Sequence, residues 1–396
     1  MTILCIATYF KGDPFLREAK RRGATVLLLT VDSLAGAAWP RESIDEVHTI
    51  PRDADDAAIK RRIDEIARRR RIDRVTALDD FDVEMAAMIR EHLQVSGIGR
   101  TTASRFRDKL AMRVAARGAG IPVPEFTATF NDEAVNEWAA RVPPPWVLKP
   151  RSSAAAIGIK KVGGHDDLWR ALHDAGPNRS NTVLEQFVAG DVYHVDSIVW
   201  NGKVVFAVAF KYGRPPMEIA HQGGLFITRR LADDSAEGAA LLDLNRRLQA
   251  MLGMQAGVSH SEFIRAGGAG GAGDFVFLET SARVGGAFIV DTIEAATGVN
   301  LWHEWAAIEV GDGDYVVPPR RDDYSAIVLT LARQETPDMS AYTDPEIVKT
   351  IRKEHHAGVI VASADGGRVD ALVADYTTRF YRDFFATAPP PERPVE

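Results

Sequence analysis

The stretch SEFIRAGGAGGAGDFVFLETSARVGG, residues 261–286, constrains the fold more tightly than any other part of the chain. Apolar residues alternate with others on both sides of a run of glycines and alanines, the pattern of two half-buried strands. Glycine tolerates the left-handed backbone that tight reversals need. The segment is therefore expected to double back as an antiparallel hairpin. The letters Gly268-Ala269-Gly270-Gly271-Ala272-Gly273 also fit G-x-G-x-x-G. That fingerprint holds a phosphate only when a helix follows, because the helix N-terminus supplies the anion site. Here Asp274–Glu279 reads as a strand, so the dinucleotide reading fails. If the hairpin is symmetric, with Gly268 opposite Gly273, Glu262 stands opposite Glu279 on one face, with Cβ atoms about 5 Å apart. Two carboxylates so placed repel unless a cation lies between them, and a hard divalent ion such as Mg²⁺ takes such oxygen ligands. A slip of one residue would send one glutamate to the other face and leave two unrelated carboxylates on a solvated strand.

The first 100 residues alternate strand and helix signals. Ile3–Ala7, Thr25–Leu29, Asp45–Ile50 and Arg74–Leu78 read as strands, with helical spacing between them. Asp13-Pro14 is expected to cap the first helix and Gly23 to close it. Such alternation implies a parallel sheet with covering helices. The turn Thr8–Asp13 carries no glycine fingerprint, so the domain is Rossmann-like in outline only. Asp79-Asp80 at a strand end is either a helix cap or a substrate contact. Further on, one helix is expected over 101–124, broken by Gly120-Ile121-Pro122-Val123-Pro124, and others over about 235–252 and 291–309. Asn201-Gly202 signals a two-residue hairpin. Residues 315–385 mix strands with a helix, and the tail 388–396 has the composition of a disordered segment.

Composition excludes some functions. A net charge of −7 argues against a dedicated nucleic-acid binder, and Arg68–Arg71 reads as a solvated helix end. The single cysteine, Cys5, precludes an internal disulfide and fits a reducing, cytoplasmic setting. No stretch approaches 18 apolar residues, so no membrane span is expected.

Several short motifs then follow one another in a known order. Arg107-Asp108-Lys109 leads to Gly120–Pro124; Val147-Leu148-Lys149-Pro150 follows; then a small-residue loop from Ser152 to Gly158; then Leu184-Glu185-Gln186-Phe187-Val188-Ala189-Gly190; then Glu279-Thr280-Ser281-Ala282-Arg283-Val284-Gly285-Gly286. Over about residues 105–310 this series resembles the ATP-grasp superfamily. The resemblance implies an α/β Rossmann-like N-terminal domain (1–100), then a two-lobed α+β ATP-grasp domain (101–312) and a C-terminal α+β subdomain (313–387).

The resemblance also implies site residues. Lys109 and Lys149 would bind the α- and β-phosphates of ATP, with Ser152 opening the loop that covers them. Glu185, Gln186, Phe187 and Val188 would form the hinge against adenine and ribose. The family often has a ribose-binding glutamate where Val192 stands, so Asp191 or His194 would substitute. Glu262 and Glu279 would hold Mg²⁺, with Mn²⁺ admissible. Ser281 stands where the family often has asparagine, as a weaker ligand. Arg283, with Gly285 and Gly286, would serve the reacting group, and Lys211 and His221 would line the acceptor side. The implied reaction activates a carboxylate as an acyl phosphate and joins it to an amine, with amino-acid or dipeptide ligation as the substrate class. A biotin-carboxylase-like or purine-pathway enzyme and a non-catalytic ATP-binding module remain open. The expected partners are small-molecule carboxylate and amine substrates, with no nucleic acid or membrane, and a homodimer is admissible.

Overall fold

The computed structural model describes residues 1–153, 157–267, 273–311 and 313–387. The N-terminal apolar runs form a parallel sheet of β1 (Thr2–Ile6), β2 (Thr25–Val31), β3 (Glu46–Ile50) and β4 (Arg74–Ala77), in the order β3-β2-β1-β4. β1 and β2, the inner pair, are nearly continuous hydrophobic runs because helices cover the sheet, and Cys5 is wholly buried within it. The first helix, Asp13–Arg21, begins one residue earlier than expected. Gly12, at φ +91°, is its N-cap, and Asp13 is its first residue.

A second sheet of four short strands follows: β5 (Phe126–Ala128), β6 (Trp146–Pro150), β7 (Lys160–Val162) and β8 (Thr182–Gln186), ordered β5-β8-β6-β7. The third sheet has eight strands: β9 (Gly190–Trp200), β10 (Lys203–Tyr212), β11 (Phe226–Arg230), β12 (Gly257–Ala266), β13 (Phe275–Ser281), β14 (Tyr324–Leu331), β15 (Ile347–Lys353) and β16 (His356–Ser363). Their order is β13-β12-β9-β10-β11-β14-β16-β15, so residues 324–363 extend the same sheet that carries the glutamates. Asn201 and Gly202 turn β9 into β10 with φ of 50° and 71°, the doubly left-handed turn expected of Asn-Gly.

Two long helices expected from periodicity are each broken. Residues 101–124 form two helices, Arg100–Ser104 and Lys109–Gly118, because the Asp108 side chain caps the second by accepting from the Leu110 amide. Residues 291–309 divide into Ile289–Thr297 and Leu301–Val310: Gly298 ends the first at φ +78° and Asn300 caps the second. In both cases a capping side chain outweighs the apolar period. The expected tail 388–396 lies outside the described residues, as do 154–156 of the small-residue loop and 268–272 of the glycine turn.

Candidate active site

The glutamate hairpin forms, and Glu262 pairs with Glu279. The symmetry assumed from the glycines is not what aligns them. Near the turn the Gly273 amide donates to the Ala266 carbonyl, and Arg265 pairs with Phe275. That register continued unbroken would set Glu262 against Leu278. A bulge between Glu262 and Phe263 leaves Leu278 as the extra residue, since Phe263 pairs with Phe277, and this brings Glu279 opposite Glu262.

Both glutamates line a cleft of about 730 Å³. Its walls come from β6 and β8 of the second sheet, from β12 and β13 of the third, and from Tyr9, Lys11 and Phe81 just beyond β1 and β4. The cleft thus reaches the carboxyl ends of the N-terminal parallel strands, where ligands commonly bind in such sheets.

The buried floor is a network of charges. Arg113, wholly buried on the helix Lys109–Gly118, donates from Nη2 to Glu185 Oε2 at 3.2 Å. Lys149 Nζ lies 2.8 Å from the same oxygen. Burial alone would push the Glu185 carboxyl up, but Arg113 and Lys149 outweigh it and hold it below the usual range. Burial, helped by Arg113 and Lys109 and resisted by Glu185, brings Lys149 down to about 8. Lys109 Nζ is 2.9 Å from Glu279 Oε2 and donates to the Ser153 carbonyl at 2.7 Å. Against the cost of burial, Lys109 and Lys149 bring Glu279 down to about 2. Facing it, Glu262 accepts from the Tyr212 hydroxyl at 2.9 Å.

A second chain of polar groups runs behind Glu262. His260 Nε2 is 3.6 Å from Glu262 Oε1, and its Nδ1 is 2.9 Å from Asp196 Oδ1. Asp196 Oδ2 lies 2.6 Å from Nδ1 of His194, whose Nε2 is 2.8 Å from the Thr228 hydroxyl. Burial opposes charging of His260, but Asp196 prevails and lifts it to about 9. Asp196 is held below the carboxylate range: the two imidazoles outweigh its own burial.

Several expected residues are brought together in the cleft: Lys109, Lys149, Glu185–Val188, Glu262, Glu279, Ser281, Arg283 and Gly286. Others take different positions. His194 is wholly buried, stacked on Phe210 at 5.1 Å, and has no face on the cleft for a ribose. Asp191 and Lys211 pair with each other at 2.7 Å, and neither lines the cleft. His221 lies on the short helix Pro216–Gln222, outside the cleft lining, with Nδ1 2.7 Å from the Met217 carbonyl. Ser152 is replaced in the lining by Ser153, and its carbonyl accepts from Arg107. Gly285 packs inward instead of onto the cleft: a Cβ there would sit 3.0 Å from both Asp196 Oδ1 and His260 Nδ1. In the hinge, the amides of Gln186 and Phe187 serve the carbonyls of Glu125 and Pro145, while the Val188 amide has no backbone partner among the described residues. Asp79 accepts from the Phe81 amide and pairs with Lys11, and Asp80 pairs with Arg107, so both act as structural anchors.

Arg113, His260, Asp196 and Tyr212 escaped sequence reasoning. Two of them left a signal: Arg113 follows Lys109 by four residues on one helix face, and His260 precedes Glu262 by two on one strand face.

A cleft that presents lysines, an arginine and a pair of opposed glutamates between two sheets is what the resemblance to the ATP-grasp superfamily implies, and the fold is that of the solved amino acid ligase and biotin carboxylase structures on which the chain superposes. No family model matches the chain. It is 23% identical over 309 residues to the L-arginine-specific L-amino acid ligase of Bacillus subtilis, spanning 76% of this chain and 73% of that one. Among solved structures it superposes on the L-amino acid ligase of Bacillus licheniformis with a TM-score of 0.74 at 17% identity, covering 98% of this chain and 99% of that one. The biotin carboxylase domain of the Hydrogenobacter thermophilus 2-oxoglutarate carboxylase, solved as a dimer with MgADP and bicarbonate, gives a TM-score of 0.68 at 15% identity, over 98% of this chain and 90% of that one. Among the described residues no helix is long and apolar enough to cross a membrane.

Proposed function

We propose that the chain joins an amino acid, through its carboxylate, to the amine of a second amino acid at the expense of ATP. The observation that carries this reading is the convergence of Glu262 and Glu279 with Lys109, Lys149 and Arg283 on one cleft. Three cationic side chains beside two carboxylates suit a polyanionic substrate and its counter-ion better than either alone. The donor set fits Mg²⁺: two carboxylates paired across a hairpin, with the Ser281 hydroxyl on the same cleft, are all hard oxygen ligands. When bound, Mg²⁺ would neutralise phosphate oxygens of the nucleotide.

In this account Lys109 and Lys149 are the phosphate contacts. Both now rest on glutamates, and incoming phosphate oxygens would compete for the same ammonium groups. The Val188 amide is the hinge donor to adenine. Glu185 orients Lys149 and Arg113 rather than touching the base. Arg283 donates from Nη1 to the Val284 carbonyl at 2.6 Å, which fixes its guanidinium on the cleft wall, and its buried Nε has no partner among the described residues. A planar donor fork so held suits a carboxylate or an oxyanion. The terminal phosphoryl of ATP passes to a carboxylate oxygen and ADP leaves. The neutral amine nitrogen then attacks the acyl carbon, the bond from carbon to the phosphate oxygen breaks, and phosphate departs as the nitrogen gives up one proton to solvent. Holding the reactants in register supplies most of what the protein contributes.

The test is ADP release with ATP, Mg²⁺ and each amino acid singly and in pairs. The account expects release that depends on amino acids and yields a peptide bond. Release supported by bicarbonate without an amine, or none with any amino acid, would contradict it.

A further inference from the structure

A second cavity, of about 300 Å³, lies on the same face of the third sheet as Glu262, toward the other end of β12, between the N-terminal domain and the helix Leu301–Val310. Its walls are of two kinds. Trp200, Val258, Trp305 and Ile308 form an apolar wall. Arg74 and Arg90 line it from the N-terminal domain, and Glu309 lines it from the helix. The Arg90 guanidinium is fixed by two backbone carbonyls, from Nε to Val75 at 2.8 Å and from Nη1 to Ile98 at 3.2 Å. Its Nη2 has no hydrogen-bond partner among the described residues. Glu309 is held by the Trp305 indole, which donates to Oε1 at 3.2 Å. Burial raises the Glu309 carboxyl and lowers the Arg90 guanidinium, so each is short of solvation, yet no ion pair joins Glu309 to either arginine among the described residues. Arg90 and Arg74 ease the Glu309 charge and Glu309 eases that of Arg90, but burial outweighs these attractions and no ion pair closes, so both groups stay incompletely compensated. The exposed residues Ser96, Asn201 and Gln255 lie at its rim and give access from solvent.

We propose that this cavity is a second ligand site, and that it takes a free α-amino acid with an apolar side chain. The carboxylate would meet Arg90 and Arg74, the ammonium would meet Glu309, and the side chain would lie along Trp200 and Trp305. An anion alone would leave Glu309 unanswered, and a cation alone would leave the arginines so; a zwitterion answers both. The volume sits at the lower end of small-ligand clefts, and the position between domains is a common one for them. The ligand class follows from the cavity alone. That the same compound is also a substrate rests on the function proposed above, and it would make the site a sensor of substrate supply.

Equilibrium dialysis of the nucleotide-free protein against each of the common amino acids, one at a time, tests the site. At least one apolar amino acid is expected to bind. Arg283→Ala, in the cleft, should leave that binding unchanged. Ser96→Trp, which fills the cavity from its exposed rim, and Glu309→Gln should each weaken it tenfold or more, with folding checked by thermal melting. No binding by any amino acid, binding lost in Arg283→Ala, or binding that survives Ser96→Trp would overturn the proposal. ADP release is read separately, so failure of the second site and failure of the ligase reading give different results.

Discussion

Arg113 has no exposed surface, and its guanidinium pairs with Glu185. Removing one member of a buried pair leaves the other charge uncompensated, which costs roughly 3–5 kcal/mol. Arg113→Met should therefore lower stability by about that much in a denaturant melt. It should also change the reactivity of Lys149, one of the cations that opposes that lysine's charge. His260 gives a prediction with a pH sign. Its folded value of about 9 lies above the unfolded 6.5, so the Asp196–His260 contact stabilises fully below pH 6.5 and is lost as pH rises through 9. The melting temperature of His260→Gln should fall short of the parent's by most near pH 6, and the gap should close toward pH 10. A gap constant with pH would show that the imidazole is not charged. Arg283→Ala removes a donor fork from the cleft, and removing a positioned oxyanion donor costs a hundredfold or more in turnover. Steady-state ADP release should fall by that factor with nucleotide binding kept.

At the scale of elements, the hairpin β12–β13 owes its glutamate pair to a bulge, and its position to β9, which pairs with β12 over its whole length. Gly190 opens β9 under severe constraint: a Cβ there would stand 1.9 Å from the Arg265 carbonyl oxygen. Gly190→Ala should push β9 from β12, cost about 1–3 kcal/mol as overpacking does, and reduce ADP formation with it. The strands themselves were legible because alternation and Asn-Gly or glycine turns speak locally. The glutamate pair was legible as well, although a bulge that no local pattern announces was needed to deliver it. His194 was not. It pairs with Glu262 across β9 and β12, but Phe210 and Tyr212 of β10 pack over its ring, and that depends on strand order. Lys211 and Asp191 likewise needed the β9–β10 arrangement to be seen as partners of each other.

At the scale of the molecule, three sheets converge on one cleft, and the candidate site lies where the second and third face each other. The order of motifs along the chain made the fold legible, since each motif ends a strand or opens a helix that the architecture needs. The contribution of Tyr9, Lys11 and Phe81 from the first domain was not legible, because they carry no motif and reach the cleft only through packing. The central claim is that Glu262 and Glu279 act together on a cation that the phosphates share. The most direct measurement is ADP formation by Glu279→Ala, titrated with Mg²⁺, beside a melt that shows the fold intact. The account predicts that ADP formation is lost at every Mg²⁺ concentration while the variant still folds; full activity in that variant would contradict it.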